Sequence, residues 1–380
     1  MQKILQRQSH MKTDSNQDEL SSLDTTVEEK ENRLRSLVRK LGSELGPLLL
    51  ALLGSFFIGG ILIVFSNENP LLAYAKILES SFGGYYAIAS TLARAMPIIG
   101  AGIAAGWAFK AGLFNLGGEG QFIFGGLAAI VVALYVPLPG FFVLLLAIVA
   151  AMLAGGLWSW LSGWFETRFG VPILISSLLM NFLALGFVSY TINFVLLEPG
   201  GARSQTPMIA EGTQLPRLVG GTALSFGLFL VIAQIIITTF VLRRTAHGYE
   251  LHIFGANREF AITGGVDPVR MTLVVMFFSG IMAGMMGAIQ VLGVHYRLID
   301  GSLTGPGYAW TGLMAAILAN NNPLGIVVAG LFFAGVQTGA SGMERAMAVP
   351  SELSSVIQAV LILLVASREA FRRVQRRDTA

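Results

Sequence analysis

Asn115-Leu116-Gly117-Gly118-Glu119-Gly120-Gln121 decides how this chain folds. Apolar, glycine-rich sequence flanks it on both sides, Ile98 to Phe109 before it and Phe122 to Val136 after it. A carboxylate, two amides and three glycines therefore lie within or against a membrane span. Lipid holds no water to satisfy the peptide groups of an interrupted helix, so such a break must line a space enclosed by protein. A polar side chain at that depth points to a transport pathway.

The composition outward from this stretch agrees. Of 380 residues, 54% are hydrophobic and 12% charged, against about 25% charged in soluble domains. The charges collect in the first 46 residues, the short loops and the tail, while apolar runs of about 20 residues recur, each able to cross a ~30 Å hydrocarbon core. The expected fold class is an all-α polytopic membrane protein; a β-barrel would show alternating segments of ~10 residues instead. The chain has no cysteine, which excludes disulfides and thiolate metal sites.

Ten spans are expected, near 45–65, 88–109, 119–136, 140–164, 172–196, 222–242, 271–295, 307–320, 323–342 and 352–367, the second, third and eighth interrupted or short. Residues 1–44 form a polar leader. Within it, Leu34, Leu37, Val38 and Leu41 recur at helical spacing beside Arg33, Arg35, Arg39 and Lys40, which reads as an amphipathic surface helix or as a disordered leader whose arginines fix topology. Lysines and arginines fall mostly on one side if both termini are cytoplasmic, including the basic tail at 368–380. Residues 45–367 then form the transmembrane domain. Its 197–221 segment is an external loop with turn chemistry at Glu198-Pro199-Gly200-Gly201, and its 243–270 segment is a cytoplasmic loop. The glycine run Gly100 to Gly106 before the first break is echoed by Gly280 to Gly287 before a second, around 295–307. The echo reads either as an inverted repeat or as the close packing that glycine gives membrane helices.

Several chemistries are missing. None of the six lysines follows a glycine, so there is no phosphate-binding P-loop. His10, His247, His252 and His295 are too scattered for a metal cage. Glu119 is essentially alone as an intramembrane carboxylate, which argues against an ion-coupled carrier, and no cluster suits an intramembrane enzyme. Energy for transport must then come from another subunit. The cytoplasmic loop offers the contact: Asn257 can cap a short helix and Gly264-Gly265 can end it in a left-handed turn.

The order Asn-Leu-Gly-Gly-Glu-Gly-Gln, then Gly255-Ala256-Asn257 with Gly265-Val266-Asp267, then Gly307-Tyr308 and Asn322-Pro323-Leu324-Gly325 resembles the permease subunits of ABC importers. It is most similar to the branch of ribose-type and branched-chain amino acid permeases, and within it to purine nucleoside permeases. The resemblance covers about residues 45–367. It implies a multi-pass protein of a prokaryotic plasma membrane, with a coupling helix in 253–265 carrying Gly255, Ala256, Asn257, Arg258, Glu259, Gly264 and Gly265. Phe260 departs from the small residue usual there. It also implies a second, shorter permease subunit in a heterodimer, a cytosolic ABC ATPase and an external substrate-binding lipoprotein near 197–221. ATP and magnesium would be held by the partners, with no cofactor on this chain and no nucleic acid. Ribose, another sugar or a branched-chain amino acid stays open as the substrate beside a nucleoside.

For a nucleoside, Asn115, Glu119 and Gln121 offer donors and acceptors. Glu119 reads equally as a structural carboxylate serving the amides of its own break. Arg94 either points outward or pairs with Glu119. Tyr308 and Trp310 can stack on a base or sit as interfacial aromatics. Asn181 and Gln290 read as interhelical hydrogen-bonding residues.

Overall fold

A computed structural model describes residues 50–201, 203–347, 349–353, 355–361 and 363–364. The leader 1–44, the tail 368–380 and the placement of both termini lie outside the described residues. The chain divides into two compact units, Met1–Gly59 with Ile357–Ala380, and Gly60–Val356. In the described part of the first, Gly54 lies against Leu364.

Among the described residues the secondary structure is helical apart from two isolated bridges. The helices are α1 (Leu50–Phe65), α2 (Pro70–Phe82), α3 (Tyr85–Lys110), α4 (Gly118–Tyr135), α5 (Gly140–Phe169), α6 (Ile173–Tyr190), α7 (Gly227–Arg244), α8 (Ala246–Ala256), α9 (Arg258–Thr263), α10 (Pro268–Gln290), α11 (Tyr308–Leu318) and α12 (Pro323–Ala346). Seven of them are long and apolar enough to cross a membrane, and α1 with α2 makes an eighth candidate bent by 115°. The expected ten are therefore not all present as full spans among these residues. At 11 residues, α11 is only about 16 Å long, and the span expected at 352–367 is described only in part.

α2 is a helix where the expected spans leave a gap. Asn69 caps it, accepting from Leu71 N–H (2.9 Å), and Pro70 opens it. Lys76, expected in an external loop, sits on this helix and pairs with Glu79 at 2.7 Å. Ile63, Ala73 and Ile77 pack there with Met343 and Val349.

Of the spans, α3 and α10 are the most enclosed, each with 72% of its apolar window buried, against 22% for α7. Glycine makes that enclosure possible. Gly280, Gly284 and Gly287 recur on one face of α10. A methyl group on Gly280 would strike the backbone of Gly155 in α5, and one on Gly287 would strike Phe122 in α4. The other half matches: a methyl on Gly312 of α11 would lie 2.5 Å from Ile98 O and 2.6 Å from Gly102 N in α3. Each long central helix thus packs against the helix that follows the other's break, α10 on α4 and α3 on α11, with glycine allowing the close approach in both pairs.

Candidate functional site

The first break spans 111–117, between α3 and α4. Gly112 turns the chain with φ of 74°, and the amides freed by the interruption are met by side chains. Gly117 N–H donates to Asn115 Oδ1 (2.9 Å), Leu116 N–H to Ser177 Oγ (3.0 Å) and Gly120 N–H to Asn181 Oδ1 (2.8 Å). Asn181 Nδ2 in turn donates to Leu116 O (2.8 Å). Asn115 Nδ2 donates to Ser279 Oγ (2.9 Å) on α10, and the Ser279 hydroxyl in turn donates to Ala104 O (2.8 Å) on α3. Gln121 Nε2 closes the ring on Asn115 Oδ1 (3.0 Å). Asn115 and Gln121 are 3% and 1% exposed, so their polar atoms serve the break. Asn181 is the interhelical hydrogen-bonding residue expected, and what it braces is this break.

Glu119 lines the same pocket as Asn115 and Gln121 but is not part of their hydrogen-bonded ring. Half-buried, it accepts a hydrogen bond from Trp310 Nε1 (2.9 Å). The pair lines a narrow pocket against Ala101, Ala104 and Ala105 of α3. Arg94 does not pair with Glu119. It faces a second, larger cavity of about 340 Å³, with Ser90, Gln290, Tyr308, Thr338 and Arg345. Seven residues separate Arg94 from Ala101, about 10 Å along α3. The six residues expected along a substrate path thus divide between a lower pocket, lined by Glu119 and Trp310 together with the clamp residues Asn115 and Gln121, and an upper cavity (Arg94, Tyr308). Both spaces lie along α3 beside the start of α11. Sequence reasoning did not single out Thr338, Ser341 or Arg345 and treated Gln290 only as a helix-helix contact. Their shared helical phase on α12, three and seven residues apart, is the signal that would have found the α12 set.

The second break, 296–307, is built differently. Tyr296 takes a left-handed conformation with φ of 57°, just after a π-helical turn at Val291–His295. Segment 197–221 lies along it as a backbone ribbon: Thr206 N–H donates to Leu298 O (2.9 Å), Ile209 N–H to Tyr296 O (2.9 Å) and Leu215 N–H to Leu292 O (2.8 Å). Arg297 pairs with Glu198 at 3.0 Å. Asp300 accepts from Ser189 (2.8 Å) and Asn193 (3.2 Å) at the end of α6. The expected structured, largely non-helical segment is therefore present, and it covers the second break.

The 243–270 segment folds as two short helices. Thr245 caps α8, and Asn257 caps α9 by accepting from Phe260 N–H (3.0 Å). The left-handed turn falls at Gly265, with φ of 93°, while Gly264 keeps a negative φ. Gly255 sits on the end of α3: a methyl there would strike Lys110 O and lie 2.9 Å from Ala111 C. Ala256 ends α8, and Glu259 lies in the first turn of α9. Arg258 stacks over Phe254 (5.3 Å) and lies 3.8 Å from Glu166 on α5. Phe260 and Ile262 point outward, 62% and 45% exposed.

A sequence profile described as the branched-chain amino acid transport system permease component matches residues 87–366. The chain belongs to that family. Among its relatives is the glucose ABC transporter permease protein TsgB13 of Haloferax volcanii, 32% identical over 86% of this chain and 88% of its own length. The guanosine ABC transporter permease protein NupP of Bacillus subtilis is 31% identical over 89% of this chain and 97% of its own. The nucleoside ABC transporter permease protein NupB of Lactococcus lactis subsp. cremoris is 26% identical over 84% and 89%. The chain is a multi-pass membrane permease of the ABC transporter class, a transport subunit that associates with an ATPase and a substrate-binding protein.

Proposed function

We propose that this permease carries nucleosides inward, along α3 and α11, past the upper cavity and then the pocket at Glu119 and Trp310. The observation that carries the reading is the pairing of guanosine and nucleoside ABC transporter permeases among the relatives with a polar cavity and a narrow pocket at Glu119, both along one central helix. The α8–α9 element is the lever. Its outer face presents Phe260 and Ile262, and its inner face rests through Gly255 on the residues that open the first break. A push on α9 from a nucleotide-binding partner would therefore reach 111–117 directly, and α5 through Arg258 and Glu166. ATP and its magnesium belong to that partner. The permease works as a heterodimer with a second permease polypeptide, and a binding lipoprotein delivers substrate at 197–221.

Uptake of labelled guanosine tests the cargo. Cells lacking only this chain, in a host with no other nucleoside route, lose uptake; undiminished uptake sinks the reading. A cysteine at Ala256 should cross-link to the ATPase, and absence of any cross-link from 253–265 removes the lever. The match to a glucose permease gives a second reading, a sugar path. Loss of labelled glucose uptake with guanosine uptake intact would favour it.

A further inference from the structure

We infer that the upper cavity selects the base: it takes oxopurine nucleosides such as guanosine and inosine in preference to the aminopurine nucleoside adenosine. The inference rests on the nucleoside reading above and adds which edge of the base is recognised and by which side chains.

The cavity's lining is rich in donors. Arg94 on α3 and Arg345 on α12 both face it, and neither forms an ion pair among the described residues. No carboxylate lines it. Gln290, 2% exposed, brings an amide from α10, and Thr338 completes the wall, its own hydroxyl buried away from the open space. Arg94, half-buried in α3, is a charged group that needs a watery cavity or a ligand beside it, while Arg345, exposed in the last turn of α12, stands at the rim. At about 340 Å³, the space lies within the ~300–1,000 Å³ range of small-molecule sites.

A guanidinium presents parallel N–H donors in a planar fork, and it binds best where two acceptors lie side by side on one edge. An oxopurine has such an edge, its carbonyl oxygen beside a ring nitrogen. In adenine an amino group stands in place of that oxygen, so donor would meet donor. Ser90 and Ser341 can serve the ribose hydroxyls, and the Tyr308 ring offers a flat face for the base. The lower pocket has the opposite character, since its charged group is a carboxylate already engaged by Trp310.

The test uses cells with the complete importer, measuring initial uptake of tritiated guanosine and tritiated adenosine in the same cells, each at saturating concentration. Arg94→Gln should lower guanosine uptake relative to adenosine by about tenfold, the discrimination a lost bidentate contact gives, and Arg345→Gln, at the exposed rim, should lower it by less. Arg94→Lys should restore only part of the ratio, because an ammonium lacks the fork. The binding protein is unchanged throughout, and a ratio cancels any difference in folded permease. An unchanged ratio in both glutamine variants overturns the inference, as does import of guanosine monophosphate in place of guanosine. Unmutated importer that carries neither nucleoside overturns the nucleoside reading itself, a distinct result.

Discussion

The two breaks hold their exposed peptide groups in contrasting ways. At 111–117 side chains do it, with Asn115, Gln121, Ser177, Asn181 and Ser279 drawn from α4, α6, α10 and the break itself. At 296–307 backbone does most of it, as segment 197–221 lays a ribbon of N–H and C=O groups along the chain, with the Thr206 hydroxyl accepting from Leu298 N–H (3.0 Å). A side-chain clamp is compact and ties several helices to one point, so motion of any one is felt there. A ribbon is more tolerant, because apart from the Thr206 hydroxyl its bonds to the break named above do not depend on residue type. The first break also touches α8 through Gly255, whereas the second is joined to the segment where a delivery protein would dock. The difference suggests that force enters at the clamp and substrate enters under the ribbon.

Removing a clamp residue should have the largest effect. Asn115→Ala leaves the buried Gly117 amide and the buried Gln121 and Ser279 side chains short of partners. Each such loss costs about 1–3 kcal/mol, so about 3 kcal/mol or more of stability should go. The expected result is little folded permease in the membrane and a lowered thermal midpoint for what remains. A variant as stable as the parent would show that the clamp is not what holds the break.

Next comes the link between lever and clamp. Gly255→Val puts a branched side chain where even a methyl meets Lys110 and Ala111 backbone. Overpacking costs about 1–3 kcal/mol, and α8 should lift from the end of α3. Assembly with the ATPase should survive, since Phe260 and Ile262 are untouched, but ATP hydrolysis should no longer respond to loaded binding protein. Stimulation equal to that of the parent would separate the lever from the first break and remove the asymmetry between the two.

These expectations also mark what was legible beforehand. The first break stood out because polar residues and glycines interrupt an apolar run, and no soluble context explains that. The role of each amide did not stand out. Asn115 and Glu119 are four residues apart and equally polar, and only the fold shows that one turns to the backbone and the other to Trp310, 191 residues along the chain. Asn257 and Gly265 were legible because caps and left-handed turns are local chemistry. The ribbon was not, because pairing Leu215 with Leu292 is a long-range backbone event with no residue signature. α2 was hidden by its own charges, since Lys76 and Glu79 satisfy each other on an exposed face and lower the apparent apolarity of a helix. Arg345 looked like a flanking charge because sequence gives its position along a helix but not what faces it.

The smallest effect should come from the ribbon's one salt bridge. Arg297 and Glu198 are 18% and 31% exposed in their side chains, so solvent screens the pair and its loss should cost under about 1 kcal/mol. The backbone bonds of Thr206, Ile209 and Leu215 remain when either side chain is changed. Glu198→Gln should therefore leave the thermal midpoint and the yield near those of the parent, and guanosine uptake should fall by less than about twofold. The amide can still accept from Arg297 and Gln205, the two donors that reach the carboxylate. A collapse in stability as deep as that of Asn115→Ala would mean that the second break also hangs on a side chain, and the distinction between clamp and ribbon would be lost. A normal midpoint with uptake abolished would instead place Glu198 in the docking surface, where its charge meets the delivery protein rather than its own fold.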